Sequence, residues 1–483
     1  MSADQSNERA LAWHRPRRAR GMALAIALAS TSIACRAPRN ERSAEPSTDA
    51  ATSATASPSA STSAPVAATA VVAPNASATA ASTGAAAATG PLNVLVVTID
   101  SLRADVPWLG YGRPIAPNLT RLAETSAVYT RAYSASSYTA KSLSAFLSGR
   151  FASTLYRDGR FFTRYSPANH FLGELLHEQG VRSIAWHSHL YFGRDSGLEQ
   201  GFDVWRLVPG IHFDPETDND VTSDKMTALG IELLGDARNT SGRFFAWAHY
   251  MDPHDQYHAH PEAPKFGKRA RDRYDQEIWF ADLWIGKLFA WAETKPWWKD
   301  TVVIVTADHG EAFGEHGMYK HAFELWDVLT HVPLLVHGPG IVARRIEARR
   351  SLIDLTPTVL ELFGKAPPAD FAGKSLLAEL RGATPDGREP ILTELAEDTH
   401  NPPRRALLQG NYKLIDFGRG HAELFDLAAD PAESTDVAAK HPNEFEAMKK
   451  ALADKYAAMP VVAPFGGQKL HDGGRANGPR GPG

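Results

Sequence analysis

The chain has 483 residues, 43% of them hydrophobic and 22% charged, with a formal charge of -4, the balance of an ordinary folded protein long enough for more than one domain at about 100 to 200 residues each. So small a net charge supplies no strong field for nucleic acid or an acidic membrane, and partners have to be read from sites. The single cysteine, Cys35, excludes internal disulfides, cysteine-based zinc sites and a catalytic thiol in the folded region.

The N-terminus runs from a basic stretch, Arg15 to Arg20, into a short apolar run from Met22 and then small residues up to Cys35. That order is the grammar of an export signal, and the apolar run is short for a bilayer span. Residues 1–35 are therefore expected to be a signal peptide. Cys35 resembles the lipid-modified cysteine of bacterial lipoproteins, with Ser32 where an aliphatic residue is usual. The expectation is an exported protein of the bacterial envelope, lipid-anchored in the periplasm or at the outer membrane, or else secreted. Residues 36–91 are almost all Ala, Ser, Thr and Pro and read as a flexible tether; residues 461–483 read as a disordered tail.

In the folded part, "NVLVVTID" is a continuous apolar run ending at Asp100, the pattern of a strand buried on both faces of a parallel sheet. "APNLTRLAETSAVY" follows with a helical pattern. "SSYTAKSLSAFLSGR" crowds hydroxyls around Lys141 and sets Leu143, Phe146 and Leu147 at helical spacing, so a helix starts near Thr139 and turns its positive end there. "RFFAWAHYMDPH" is a second strand running into His249, Asp252 and His254, and a helix is expected over Asp272 to Trp291. "DTVVIVTADHGE" is a third strand, ending at Asp308 and His309, after which a glycine-punctuated loop carries His316, Lys320 and His321.

Strands alternating with helices predict an α/β fold with a mostly parallel sheet, whose ligands bind outside the carboxyl ends of the strands. One Asp or His after a strand is usually a cap or turn residue; three strands ending alike point to a metal. Carboxylate with imidazole suits zinc or manganese, an all-oxygen site calcium or magnesium. His249 and Asp252 are candidates for a second metal, while His331 and His337 read as incidental.

These segments, with "VHGPG", "SLIDLTPTVLELFG" and "NYKLIDFGRGHAELFDLAADPAES", resemble in order, over residues 92 to about 440, the successive signatures of the sulfatase family within the alkaline phosphatase superfamily. The resemblance implies a large α/β domain, mapped to 92–385, with helices flanking the central sheet, followed by a small C-terminal α+β subdomain, 386–460. It implies that Asp100, Asp308 and His309 bind a divalent metal with Thr139 as fourth ligand. His254 and His321 would contact the transferred group or protonate the leaving oxygen, with Lys320 and Lys141 stabilising its charge. Aligned on "FLSGR", Thr139 occupies the position that most sulfatases oxidise to formylglycine, and Lys141, Ser142 and Leu143 replace the Pro, Ser and Arg of that motif. No formylglycine is expected, and the chain is similar instead to superfamily members with a threonine nucleophile, such as phosphoethanolamine transferases.

Ser101 replaces the family's second aspartate, which favours zinc or manganese over calcium. The lysine of the family's Gly-Lys-Trp-His-Leu-Gly segment is missing from "GVRSIAWHSHLYFG", where His187 and His189 either substitute for it or are structural. The resulting expectation is a metal-dependent hydrolase of a small-molecule, glycan or lipid sulfate or phosphate ester, meeting membrane only through its anchor. The alternatives are a phosphoethanolamine-type phosphotransferase acting on an envelope glycan or lipid, and a non-catalytic binding protein.

Overall fold

A computed structural model describes residues 92–193, 195–212 and 220–465. The expected signal peptide with Cys35, the tether 36–91 and most of the expected tail lie outside the described residues. The first five tail residues do not behave as a free end: Val462 and Phe465 donate backbone hydrogen bonds to the carbonyls of Ser153 and Arg157. Among the described residues no helix is long and apolar enough to cross a membrane.

In chain order the strands are β1 (Asn93–Ile99), β2 (Ala127–Tyr133), β3 (Arg182–His187), β4 (Val204–Leu207), β5 (Phe244–Tyr250) and β6 (Thr301–Ala307), a short hairpin of β7 (Ala312–Phe313) and β8 (Tyr319–Lys320), then β9 (His331–His337), β10 (Arg344–Ile346) and β11 (Arg350–Ser351). The order across the main sheet is β10-β2-β9-β6-β1-β5-β3-β4, with β11 beside β2. Every pairing in it is parallel except those of β9, which runs against β2 and β6. The expected mostly parallel sheet is therefore present, with one reversed strand.

The three strands singled out in the sequence lie side by side as β6-β1-β5 at the sheet's centre. All their residues are buried, which is why they read as continuous apolar runs rather than alternating ones. Each buried Val, Leu or Ile there contributes about 1.5–3 kcal/mol of transfer free energy. Because the three run parallel, their carboxyl ends share one edge: Thr98 stands opposite His249 and Ile99 opposite Ala307.

Helices α1 (Pro117–Ala123), α2 (Thr139–Ser148), α3 (Leu172–His177), α4 (Ser223–Gly235), α5 (Ala237–Thr240), α6 (Ala270–Ala292), α7 (Asp327–Thr330), α8 (Leu355–Leu362) and α9 (Leu377–Leu380) accompany the sheet. They pack in two sets, α1 with α4, α5 and α6, and α2 with α3, α8 and α9. The helix expected over "APNLTRLAETSAVY" is shorter than its pattern: it stops at Ala123, and the β-branched end of that segment becomes β2.

The chain then forms an antiparallel meander, β12 (Ile391–Leu395), β13 (Arg404–Gln409), β14 (Tyr412–Gly418) and β15 (His421–Asp426), followed by α10 (Pro442–Ala457). Leu392, Leu407, Leu414 and Leu424 share a core with Met448 and Leu452 of α10. The alternate residues Leu395, Ala406, Ile415 and Phe425 pack with Tyr138, Trp326 and Leu329, so the second face of this small sheet leans on the segments around Thr139.

Candidate active site

Asp100, the first residue after β1, is fully buried. A chain of hydrogen bonds aims it: Trp247 Nε1 donates to Thr98 Oγ1 (2.9 Å), Thr98 Oγ1 lies 2.8 Å from His249 Nδ1, and His249 Nε2 lies 3.2 Å from Asp100 Oδ2. Burial works against the charge on Asp100. The His249 hydrogen bond, with His254 and His309 nearby, outweighs it and holds the carboxyl well below the usual carboxylate range.

Asp308 follows β6 and takes the backbone N–H groups of Ser101 (3.1 Å) and His309 (2.9 Å) on Oδ1. Burial and the neighbouring Asp100 charge push its carboxyl up. Ser101, which replaces a possible third carboxylate, donates its hydroxyl to Asp100 Oδ1 at 2.9 Å, so it ties the two acids together instead of adding charge.

His309 is held by Nδ1 donating to the Gly310 carbonyl at 2.9 Å, which leaves Nε2 as the lone-pair nitrogen. That Nε2 is 3.3 Å from Asp308 Oδ2 and 3.7 Å from Asp100 Oδ1. Gly310 is required there, because a Cβ would sit 2.1 Å from the Val328 carbonyl oxygen. The expected helix begins at Thr139, whose Oγ1 is 3.0 Å from His309 Nε2 and 3.5 Å from Asp100 Oδ2. Ser142, one turn on, donates to the Asp308 carbonyl at 2.5 Å; its hydroxyl fastens α2 to the end of β6.

The donors fit a divalent cation. Ligand atoms of Asp100, Asp308 and His309 lie within 4.8 Å of one another, and the buried Asp308 Oδ2 has no hydrogen-bond partner. Two buried carboxylates this close are repulsive unless a cation or proton sits with them.

The other expected residues divide. His321 packs against His309 with ring centroids 4.3 Å apart and turns Nδ1 toward Glu311 Oε1 at 3.2 Å. Burial keeps this imidazole below its usual value despite the pull of Glu311. Glu311 is fully buried, and burial alone would raise its carboxyl, but His321 draws it down. His254 packs 5.0 Å from His321, its Nδ1 donating to the Asp255 carbonyl at 3.0 Å. Lys320 is 54% exposed and pairs with Asp255 at 2.7 Å.

Lys141 departs from expectation. It is completely buried, its ammonium ion-paired with Asp398 from the C-terminal subdomain, and burial holds its pKa down against that partner. The charge expected on the transferred group is thus committed elsewhere, because α2 turns residue 141 away from the face that carries Thr139.

His249 and Asp252 do not form a second metal cluster. His249 serves Asp100, while Asp252 accepts the backbone N–H groups of Thr222 (3.1 Å) and Ser223 (2.7 Å) at the start of α4. His316 stacks on Trp326 at 3.7 Å instead of facing the site. His187 lies among Phe192 and Trp205 with both ring nitrogens unpartnered, a core residue. His189 belongs to the site: its ring is 6.2 Å from that of His254, Nδ1 accepts from the Tyr191 N–H, and burial pushes it down to about 3. Glu311 was missed; its only signal was an acid two residues beyond His309.

The sulfatase family model matches residues 92–365, and the model of the N-sulphoglucosamine sulphohydrolase C-terminal region matches 314–460. The choline-sulfatase of Rhizobium meliloti is 24% identical over 436 residues, covering 72% of this chain and 83% of that protein. The arylsulfatase K of Mus musculus is 37% identical over 153 residues, covering 29% of this chain and only 28% of that protein. The phosphonate monoester hydrolase of Agrobacterium radiobacter shares the fold, with a TM-score of 0.63 at 18% identity over 76% of this chain and 95% of its own.

Proposed function

This chain belongs to the sulfatase family, and from that premise we propose that it is a metal-dependent hydrolase of sulfate or phosphate-type esters with unmodified Thr139 as nucleophile. The observation that carries the reading is the Thr139 hydroxyl 3.0 Å from His309 Nε2, at the positive end of α2 and inside the Asp100–Asp308–His309 cluster. Asp100, Asp308, His309 and Thr139 would hold the ion, zinc or manganese by donor type, which would acidify the hydroxyl and offset the charge of the ester.

Thr139 Oγ1 attacks the sulfur or phosphorus in line, and the bond from that atom to the alcohol oxygen breaks. His321, held neutral by burial and oriented by Glu311, takes the proton Thr139 loses and delivers it to the departing oxygen. His254, packed 5.0 Å from His321, would contact the equatorial oxygens, and Lys320 would reach them by exchanging its Asp255 partner for the ester. Water then attacks the same sulfur or phosphorus and gives a proton to His321, which passes it to the Thr139 oxygen as its bond to that atom breaks, so that the acid anion is released and both the threonine hydroxyl and the neutral imidazole are restored.

Sulfate esters are favoured by the names of the choline-sulfatase and arylsulfatase K relatives, and phosphonate monoesters come second through the structural neighbour. The basic-apolar-small N-terminus ending at Cys35 supports export, with residues 36–91 as tether. The test is hydrolysis of nitrophenyl sulfate, phosphate, phosphodiester and phosphonate esters by metal-loaded protein and its Thr139→Ala variant, with metal content measured. The variant should keep its metal and lose at least about a thousandfold in kcat. A variant as active as the parent overturns the nucleophile, and metal-loaded protein that cleaves none of the four overturns the hydrolase.

A further inference from the structure

The row of rings that starts at His309 continues toward solvent. After His321, His254 and His189 comes Phe162, 6.3 Å from His189. Phe162 is 49% exposed and stacks on Tyr191 at 5.8 Å. Its neighbour Phe161 stacks at 4.3 Å on Tyr138, the residue before Thr139. A cavity of ≈ 460 Å³ is lined here by Arg160, Phe161, Phe162, Arg164, Tyr191 and His400 among others.

Two features make this more than a surface crevice. The first is that its wall is tied to the nucleophile's own helix. The His400 ring packs edge-on against Phe161 at 5.1 Å, and the His400 backbone is fixed because Asp398, paired with Lys141 of α2, accepts its N–H at 2.8 Å. The second is that its arginines are loosely engaged. Arg160 lies 3.4 Å from Asp158 and Arg164 3.7 Å from Asp195, beyond the usual 2.7–3.2 Å. Asp158 spends its Oδ1 on the backbone N–H groups of Arg160 and Arg164, and Asp195 is itself mostly in solvent. Exposed pairs of this kind hold each other weakly, so both guanidinium forks are available to an incoming anion.

We propose that this cavity is the leaving-group subsite, in which Phe162 stacks against a ring in the alcohol half of the ester and Arg160 and Arg164 pair with a second negative charge on that ring. The proposal rests on the ester-hydrolase reading and adds the substrate class to it: esters of cyclic, anionic alcohols in preference to short acyclic ones. An aromatic face supplies contact area with little loss of side-chain freedom, and a guanidinium fork matches a carboxylate or sulfate in two hydrogen bonds.

The test compares kcat/KM on 3-carboxyphenyl sulfate, phenyl sulfate and ethyl sulfate for the parent, Phe162→Ala, and the double variant Arg160→Ala/Arg164→Ala. Loss of the stack should cost both aryl esters about three- to tenfold, through KM, and spare ethyl sulfate. Loss of both arginines should remove about tenfold or more on the carboxylated ester and leave phenyl sulfate within about twofold. Variants that slow all three esters equally, or a carboxylate preference unchanged in the double variant, overturn the proposal. Binding of 3-hydroxybenzoate, measured by calorimetry, separates the two readings. If no ester is cleaved but binding occurs and the double variant weakens it about tenfold, the subsite stands and the hydrolase falls; if esters are cleaved but the parent does not bind this alcohol, the subsite falls alone.

Discussion

Replacing Lys141 with methionine should destabilise the protein by about 3 kcal/mol, the low end of the roughly 3–5 kcal/mol for breaking a buried ion pair. Asp398 would lose its counter-charge but keep three donors, the backbone N–H groups of His400 (2.8 Å) and Asn401 (2.9 Å) and the Asn401 side-chain amide. Asp398→Asn leaves the buried ammonium without its paired carboxylate, and burial, which already holds Lys141 down, then acts with less opposition, so the loss is of similar size. The double variant carries no charge and retains an amide oxygen for the His400 and Asn401 N–H groups, so it should cost only about 1–2 kcal/mol. The four proteins form a cycle with an expected coupling of a few kcal/mol, read from urea unfolding followed by tryptophan fluorescence. Ester hydrolysis on the same samples decides the role. If Lys141 only positions the chain, activity returns with stability in the double variant. A double variant that is stable yet inactive refutes the reasoning and returns the ammonium to the transferred group.

Asp308→Asn should weaken metal binding while raising the Tm of the metal-free protein by a few degrees. It removes one of two adjacent buried charges, and its amide oxygen can still accept from Ser101 and His309. Thermal melts with and without chelator check this, and a lower metal-free Tm sinks it. Asp282 caps the start of α1 by accepting the backbone N–H groups of Asn118 and Leu119, and burial pushes its carboxyl up to about 6. A raised folded-state value means that its contribution is complete below the unfolded value near 4 and is lost as pH rises through about 6. The stability difference between parent and Asp282→Asn should therefore fall by on the order of 3 kcal/mol between pH 4 and pH 7. A difference independent of pH would show that this carboxyl titrates normally.

The centre of the fold was legible because its strands are buried on both faces. Such strands read as unbroken valine and isoleucine runs, and the first polar residue after each marks a carboxyl end, which exposes Asp100 and Asp308 together with His309. Thr139 was legible through the helical spacing of Leu143, Phe146 and Leu147 behind it. The antiparallel course of β9 was not, because "HVPLLVH" is equally apolar in either direction and its sense follows from the connection before it. Asp252 looked like a ligand because it follows a strand, but its oxygens are claimed by a helix start 30 residues earlier in the chain. Asp398 stands 257 residues from Lys141, and no local pattern announces such a pair.

These distant ties decide how firmly Thr139, the proposed nucleophile, is held. Both ends of α2 are fastened to other parts of the molecule: in its first turn Ser142 to the end of β6 and Lys141 to the loop after β12, and just past its last residue Gly149, at φ 65°, to the loop around Phe371. Gly149 closes the helix in the left-handed region, and its carbonyl accepts the N–H groups of Ala372 and Gly373 at 2.9 and 3.2 Å. A Cβ there would fall 2.5 Å from the Phe371 ring. A threonine hydroxyl is a poor nucleophile that gains from being held at attack distance without reorganisation. The C-terminal subdomain is therefore part of that arrangement and not an appendage. Through Asp398 it grips the first turn of α2, and through His400 it shapes the cavity beside Phe161, so a change in that one loop reaches Thr139, the proposed nucleophile, and the proposed subsite together.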